Sequence, residues 1–236
     1  MTSRIAQRRK AERERERQAR KEEKLRKRRA ERTERRAKGR GLIPQDVEVR
    51  PAYLRMLIVC EGDRTEPYYF KAFEARNGNV VDVRGLGMNT LSLVRRATEL
   101  RDEGGYVEDG DQVWVVMDRD SFPAEQFNAA LALAKNERVK VAWSNEAFEL
   151  WYLLHFDYHD AALSRKTYKD RLTARLGRPY AKNATDIYST LKSHQADALR
   201  NAARLREHNE GRTPEESNPG TSVDFLVREL NKLHRR

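Results

Sequence analysis

Between residues 53 and 160 the chain alternates short apolar runs with segments in which apolar residues recur at helical spacing. The apolar runs predict four strands, over residues 56–60, 79–85, 112–117 and 139–143. The helical spacing predicts a helix after each strand, over about residues 65–73, 89–104, 123–137 and 147–156. Strands that are apolar on both faces and alternate with helices indicate an α/β fold, a four-stranded parallel sheet with helices on both faces.

The pattern changes after residue 160, where no run predicts a strand. Helical spacing predicts three further helices, over about residues 166–176, 185–209 and 221–234. We therefore expect three parts: an arm over 1–45, an α/β domain over 50–160, and a C-terminal helical extension over 161–236 that packs on that domain.

The net charge of +11 is concentrated in the arm. Residues 1–40 contain 19 Lys and Arg against 7 Glu, whereas the rest of the chain contains 29 basic against 30 acidic residues. The arm has too few apolar residues to bury a face, so it is a solvated helix, a disordered segment, or a phosphate-gripping arm. Its candidate nucleic-acid-binding residues are Arg8, Arg9, Lys10, Arg26, Lys27, Arg28 and Arg29.

Cysteine content and hydropathy bear on the compartment. Cys60 is the only cysteine, which excludes an intramolecular disulfide and a zinc ribbon. No apolar run approaches the roughly 20 residues that cross a bilayer. These features predict a cytoplasmic protein with no membrane association.

Acidic residues follow two of the predicted strands directly. Glu61 comes after strand 56–60, and Asp118 and Asp120 come after strand 112–117. Ligands of open α/β sheets bind outside the carboxyl ends of the strands. Side chains two residues apart on a strand point to the same side, so the three carboxylates are expected to form one cluster.

Such a cluster points to metal chemistry. Three neighbouring carboxylates repel one another unless a cation neutralises them, and hard oxygen ligands select Mg²⁺ or Mn²⁺. The ion polarises a phosphoryl oxygen and activates water, which is the chemistry of phosphodiester cleavage. The competing interpretation is that Asp118 and Asp120 are turn-forming residues or helix caps.

Further candidates lie near these acids in the sequence. Glu66 and Glu149 are possible additional ligands, and His155 is a possible base, although a buried structural histidine is the commoner case. Arg64, Lys71 and Arg119 are candidates for contacts with substrate phosphate, with surface ion pairs as the alternative.

Four segments resemble RloB-like proteins. They are CEGDRTEPYYF at 60–70, VWVVMDRD at 113–120, SNEAFELWYLLHF at 144–156 and NPGTSV at 218–223. The resemblance implies the Toprim fold, a role in bacterial anti-phage defence, and association with an ATPase. Toprim proteins carry metal and catalysis on a Glu after the first strand and a D-x-D after the third, which are Glu61, Asp118 and Asp120 here.

The sequence thus predicts a Mg²⁺- or Mn²⁺-dependent nuclease that acts on DNA or RNA. One alternative is a catalytically silent nucleic-acid-binding or adaptor subunit of an ATPase-containing defence complex. Another is a haloacid-dehalogenase-like phosphatase, but that fold carries its D-x-D after the first strand.

Overall fold

A five-stranded sheet organises the computed structural model, which describes residues 23, 54–73, 78–107, 110–120 and 123–235. The strands lie in the order β2-β1-β3-β4-β5. They are β1 (Arg55–Cys60), β2 (Val80–Gly85), β3 (Gln112–Asp118), β4 (Lys140–Asn145) and β5 (Gly220–Thr221). The first four are parallel, and β5 pairs antiparallel with the end of β4.

Helices connect these strands and follow them. Between the strands lie α1 (Thr65–Lys71), α2 (Thr90–Gly104), α3 (Ala124–Asn136), α4 (Glu149–Leu153), α5 (Arg165–Leu176), α6 (Ile187–Leu191), a 3-10 turn (Lys192–His194) and α7 (Gln195–His208). After β5 comes α8 (Val223–Arg235).

Burial explains the apolar runs of β1 and β3. Five successive residues are buried in each strand, because each has a strand on either side and helices on both faces. Helix α2 also begins and ends where the sequence predicts. Asn89 accepts a hydrogen bond from the backbone N–H of Ser92 at 3.2 Å, and Gly105 closes the helix in the left-handed conformation.

The two faces of the sheet carry different layers. One face packs against α2 and α3, with Leu57, Leu93 and Phe127 in its core. The other packs against α1, α4 and the C-terminal helices, with Ile58 and Leu226 among its fully buried residues. The predicted helical extension therefore supplies a large part of one of the two layers that cover the sheet.

The prediction of a four-stranded parallel sheet is wrong in its count: the four predicted strands are present and parallel, but a fifth strand, β5, adds to them in the antiparallel direction. Strand β5 has only two residues and no apolar run, so no sequence pattern marks it. It pairs with Ser144 and Asn145 at the end of β4, where residues 218–221 return to the sheet. The predicted helix over 185–209 is also divided, by the 3-10 turn. The sequence does not reveal this break, because Leu191 and Ala198 on either side of the turn are seven residues apart, keep helical spacing, and are both buried.

The predicted basic arm over 1–45 lies outside the described residues, except for Glu23, which is helical and exposed. In the part of the chain that the structure describes, no helix has the length and apolar character needed to cross a membrane.

Candidate acidic active site

The ends of β1 and β3 bring Glu61 and Asp118 together. The two strands are adjacent and parallel, with Cys60 paired to Val116, so both end at the same edge of the sheet. The backbone N–H of Glu61 continues this pairing by donating to the carbonyl of Val116 at 2.9 Å. Glu61 Oε2 in turn accepts a hydrogen bond from the backbone N–H of Asp118 at 3.2 Å. Strand geometry alone therefore accounts for this predicted contact.

Asp120 lines the same cleft as Glu61 and Asp118. Its backbone adopts the left-handed region, with φ of 27°, which Asp tolerates better than most residues. Its Oδ2 lies 3.0 Å from Arg165 Nη2, and Asp118 Oδ2 lies 3.6 Å from the same nitrogen. The three acids predicted from the strand ends thus share one cleft.

A fourth carboxylate belongs to Glu66, in the first turn of α1. The side chain is buried, and a Cβ atom built on Gly62 would lie only 2.4 Å from Glu66 Oε2. Glycine at position 62 is therefore what allows this carboxylate to lie against the loop after β1. Burial raises the pKa of Glu66, and the negative charge of Glu149 raises it further.

Glu149, the fifth carboxylate, begins α4 and is held by residues from the C-terminal layer. Tyr180 donates its hydroxyl to Glu149 Oε1 at 3.1 Å, and Lys182 Nζ lies 3.8 Å from the same oxygen. The Thr65 hydroxyl donates to the carbonyl of Lys182 at 3.4 Å, which ties the segment around residue 182 to the start of α1. Thr65 thus bonds outside its helix rather than capping it.

The described lining of this cleft is mainly acidic. Six acidic and three basic side chains face it: Glu61, Asp63, Glu66, Asp118, Asp120 and Glu149, with Arg64, Arg165 and Lys182. Because acidic side chains outnumber basic ones in this lining, the cleft favours cations over anions.

Burial and mutual repulsion change the protonation of these acids. Burial raises the pKa of Glu61 to about 7, with Glu66 and Asp120 adding to the shift. The pKa of Asp118 is raised well above its ordinary value by burial, and the charges of Glu66 and Glu149 raise it further. Near neutral pH Glu61 therefore exchanges its proton readily.

The residues fit a hard divalent cation. Asp118 Oδ1 is buried and has no hydrogen-bond partner, so one oxygen at the centre of the cluster has an unused lone pair. Across the described ranges, no three His, Cys, Asp or Glu side chains already converge as a metal cage. Arg165 occupies part of that space, so a divalent ion would require Arg165 to withdraw and the carboxylates to converge.

Other predicted site residues lie elsewhere. His155 is buried in the aromatic core, where Nδ1 donates to the Trp151 carbonyl at 2.9 Å and burial lowers the ring's pKa to about 4. Arg119 donates to the Asp120 carbonyl at 2.8 Å, and its guanidinium lies over the Phe127 ring rather than in the cleft lining. Lys71 is exposed at the end of α1.

Arg64 does line the cleft, in an exposed pair with Asp63 at 3.7 Å. The candidate residues of the arm lie outside the described part of the chain. Of the predicted phosphate-binding residues that the structure describes, Arg64 is thus the one in the cleft lining.

Sequence reasoning missed Arg165 and Lys182, which line the cleft from the C-terminal layer, and Tyr180, which holds Glu149 by a hydrogen bond. One signal was available for Arg165. It is the first residue of α5, behind the cap Ser164, and the first turn of that helix has no acidic residue. A cation is disfavoured at that end of a helix by the macrodipole, which indicates a role elsewhere.

Comparison with known proteins places the cleft within one family. A family model described as RloB-like protein matches residues 56–230, about three quarters of the 236-residue chain. The matched range contains every cleft-lining residue named above. No curated protein and no solved structure matches the chain.

Proposed function

The chain belongs to the RloB-like protein family, and on that premise we propose that it is a Mg²⁺- or Mn²⁺-dependent nuclease with a Toprim-like architecture. The observation that carries the proposal is the acidic lining of one cleft at the carboxyl edge of the sheet, to which Glu61, Glu66, Asp118, Asp120 and Glu149 contribute together with the more exposed Asp63. Carboxylates in this density are the ligands of catalytic divalent ions in phosphoryl transfer.

Asp118 and Asp120 would hold the ion, with Glu61 beside them. When bound, the ion lowers the pKa of a water molecule and stabilises negative charge on the phosphoryl oxygens. Glu61 is also placed to act as a general base. Its Oε2 is engaged by the Asp118 N–H, which leaves Oε1 to accept a proton, and its pKa of about 7 suits that role at neutral pH.

The reaction is hydrolysis. Water oxygen forms the new bond to phosphorus, the bond to the leaving oxygen breaks, one water proton passes to Glu61, and the leaving oxygen takes up a proton from solvent. Lys182 and Arg64 border the same cleft and offer positive charge to the substrate backbone.

The biological setting is also a proposal. Family membership and the resemblance of the motifs support a role in anti-phage defence, with nucleic acid as substrate and an ATPase as partner. A cytoplasmic location is supported by Cys60, which is buried and unpaired.

Cleavage assays test this function. The purified protein is incubated with labelled tRNA, single-stranded DNA, duplex DNA and bis(p-nitrophenyl) phosphate, with Mg²⁺, Mn²⁺ or EDTA. We expect metal-dependent cleavage by the wild type and loss of at least about 100-fold in the Asp118→Asn/Asp120→Asn variant. The matched control, Asp160→Asn/Asp170→Asn, removes two exposed carboxylates outside the cleft lining.

Metal-independent binding of nucleic acid, unchanged by the cleft substitutions and without cleavage of any substrate, would instead indicate a binding or adaptor subunit.

A further inference from the structure

Arg165 stands in the position of a counter-ion to the acid cluster. It reaches Asp120 at 3.0 Å, Asp118 at 3.6 Å and Glu146 at 3.9 Å from the start of α5. The guanidinium lies within ion-pair distance of both Asp118 and Asp120. A cation that binds these two carboxylates must therefore share them with Arg165 or displace it.

The guanidinium of Arg165 leaves part of its hydrogen-bonding capacity unused in its present position. Its Nε is buried and has no hydrogen-bond partner, and the 3.9 Å separation from Glu146 is too long for a hydrogen bond. The side chain as a whole is 37% exposed, so it can move away from the two acids, within the cleft, without unpacking the core. These features indicate that ion pairs, rather than packing contacts, keep the Arg165 side chain in this position.

A divalent ion and Arg165 compete for the same oxygens. An ion bound by Asp118 and Asp120 would repel the guanidinium with twice the strength of a single charge at the same distance. The same ion attracts the phosphodiester of the substrate into the cleft. The planar fork of an arginine matches two phosphate oxygens as well as it matches two carboxylate oxygens.

We propose that Arg165 is a substrate-binding catalytic residue that exchanges partners: it pairs with Asp118 and Asp120 in the metal-free protein and with the non-bridging phosphate oxygens once a divalent ion holds those acids. This inference rests on the proposed nuclease function and identifies the group that recognises the phosphodiester. It also means that Arg165 competes with the metal ion for the Asp118 and Asp120 carboxylates, which an arginine with a purely structural role would not do.

The test compares Arg165→Ala and Arg165→Lys with Lys169→Ala, which removes an exposed charge from the same helix. Mn²⁺ binding is measured first, by calorimetry without nucleic acid. Removal of the competing cation should tighten Mn²⁺ binding about two- to fivefold in Arg165→Ala. Arg165→Lys should lie between Arg165→Ala and the wild type, and Lys169→Ala should equal the wild type.

The second readout is the affinity for a fluorescein-labelled single-stranded oligonucleotide, with and without Mn²⁺, which needs no turnover. Mn²⁺ should strengthen binding by the wild type and by Lys169→Ala but have little effect on Arg165→Ala. The rate with bis(p-nitrophenyl) phosphate at saturating Mn²⁺ should fall about 100-fold in Arg165→Ala.

Two outcomes would contradict the proposed exchange of Arg165 between the acids and the phosphate. Weaker Mn²⁺ binding by Arg165→Ala would mean that Arg165 organises the acids, and unchanged Mn²⁺-dependent oligonucleotide binding would mean that it does not contact substrate. A failure of the nuclease proposal itself would look different. The wild type would then not bind Mn²⁺, or Asp118→Asn would bind Mn²⁺ as tightly as the wild type.

Discussion

A Cβ atom on Gly62 would lie 2.4 Å from Oε2 of Glu66, so the loop after β1 and this buried carboxylate occupy adjoining space that only glycine leaves open. Gly85, at the end of β2, also meets this loop. A Cβ there would lie 2.6 Å from the Gly62 carbonyl oxygen and 2.9 Å from Asp63 Cα. The two glycines thus face a movable side chain and a fixed backbone, respectively.

Gly62→Ala and Gly85→Ala should therefore fail in different ways. Glu66 can rotate away from a new methyl group, so Gly62→Ala should lose less than about 1 kcal/mol of folding free energy but weaken Mn²⁺ binding about tenfold. Gly85→Ala presses on backbone and should lose about 1–3 kcal/mol. Urea denaturation and calorimetry measure the two quantities. Unchanged Mn²⁺ affinity in Gly62→Ala would remove Glu66 from the site.

Tyr180→Phe should destabilise the fold through Glu149. The substitution removes the hydroxyl that donates to a carboxylate whose side chain is 8% exposed, and leaves Lys182 at 3.8 Å as the nearby cation. An unsatisfied buried acceptor costs about 1–3 kcal/mol. Denaturant titration measures the loss, with Tyr158→Phe in a partly exposed position as the control. Equal stability of the two variants would show that the hydrogen bond contributes nothing.

Leu226→Ala and Phe225→Ala test whether the C-terminal helices are part of the core. Leu226 is fully buried beneath the sheet, whereas its neighbour Phe225 is 45% exposed. Truncation of a buried leucine costs about 2–5 kcal/mol. Loss of the exposed ring, including its contact with the Arg206 guanidinium, should cost less than about 1 kcal/mol. Similar losses in the two variants would contradict the assignment of α8 to the core layer.

His155 should make stability depend on pH. Its folded pKa of about 4 lies below the ordinary value of 6.5 because burial disfavours the charged ring. The unfolded chain therefore binds the proton more readily. The contribution is complete above pH 6.5 and is lost as the pH falls toward 4, by about 3 kcal/mol in all.

Denaturation of the wild type and of His155→Gln at pH 7 and pH 4.5 measures this contribution as the difference between the two pH dependences. His208→Gln, at an exposed position, should behave like the wild type. A variant His155→Gln with the same pH dependence as the wild type would show that the ring is not held neutral.

The strand-end acids were predictable because one rule places them. Parallel strands end at a common edge, so residues directly after β1 and β3 must be neighbours, as Glu61 and Asp118 are. Asp120 follows from the same strand. Apolar runs and helical spacing likewise gave four of the five strands and most of the helices.

The rest of the cleft was not predictable because it depends on long-range packing. Arg165 and Lys182 lie 20 and 37 residues after the end of β4, in segments that fold back onto its edge, and no periodicity in the sequence predicts that approach. Strand β5 is two residues long and carries no pattern of its own. For His155 the sequence left a possible base beside the commoner case of a buried structural histidine, and the structure shows the latter, with the ring packed against Trp151 in the core.

Divalent-ion binding to the carboxylates is the central claim, and Mn²⁺ titration calorimetry on the metal-free protein tests it most directly. Wild-type protein and the control Asp160→Asn/Asp170→Asn should bind Mn²⁺ alike, and Asp118→Asn/Asp120→Asn should lose that binding while retaining a cooperative unfolding transition. Equal Mn²⁺ binding by all three proteins, or none by the wild type even with nucleic acid present, would contradict a metal-dependent site at this cleft.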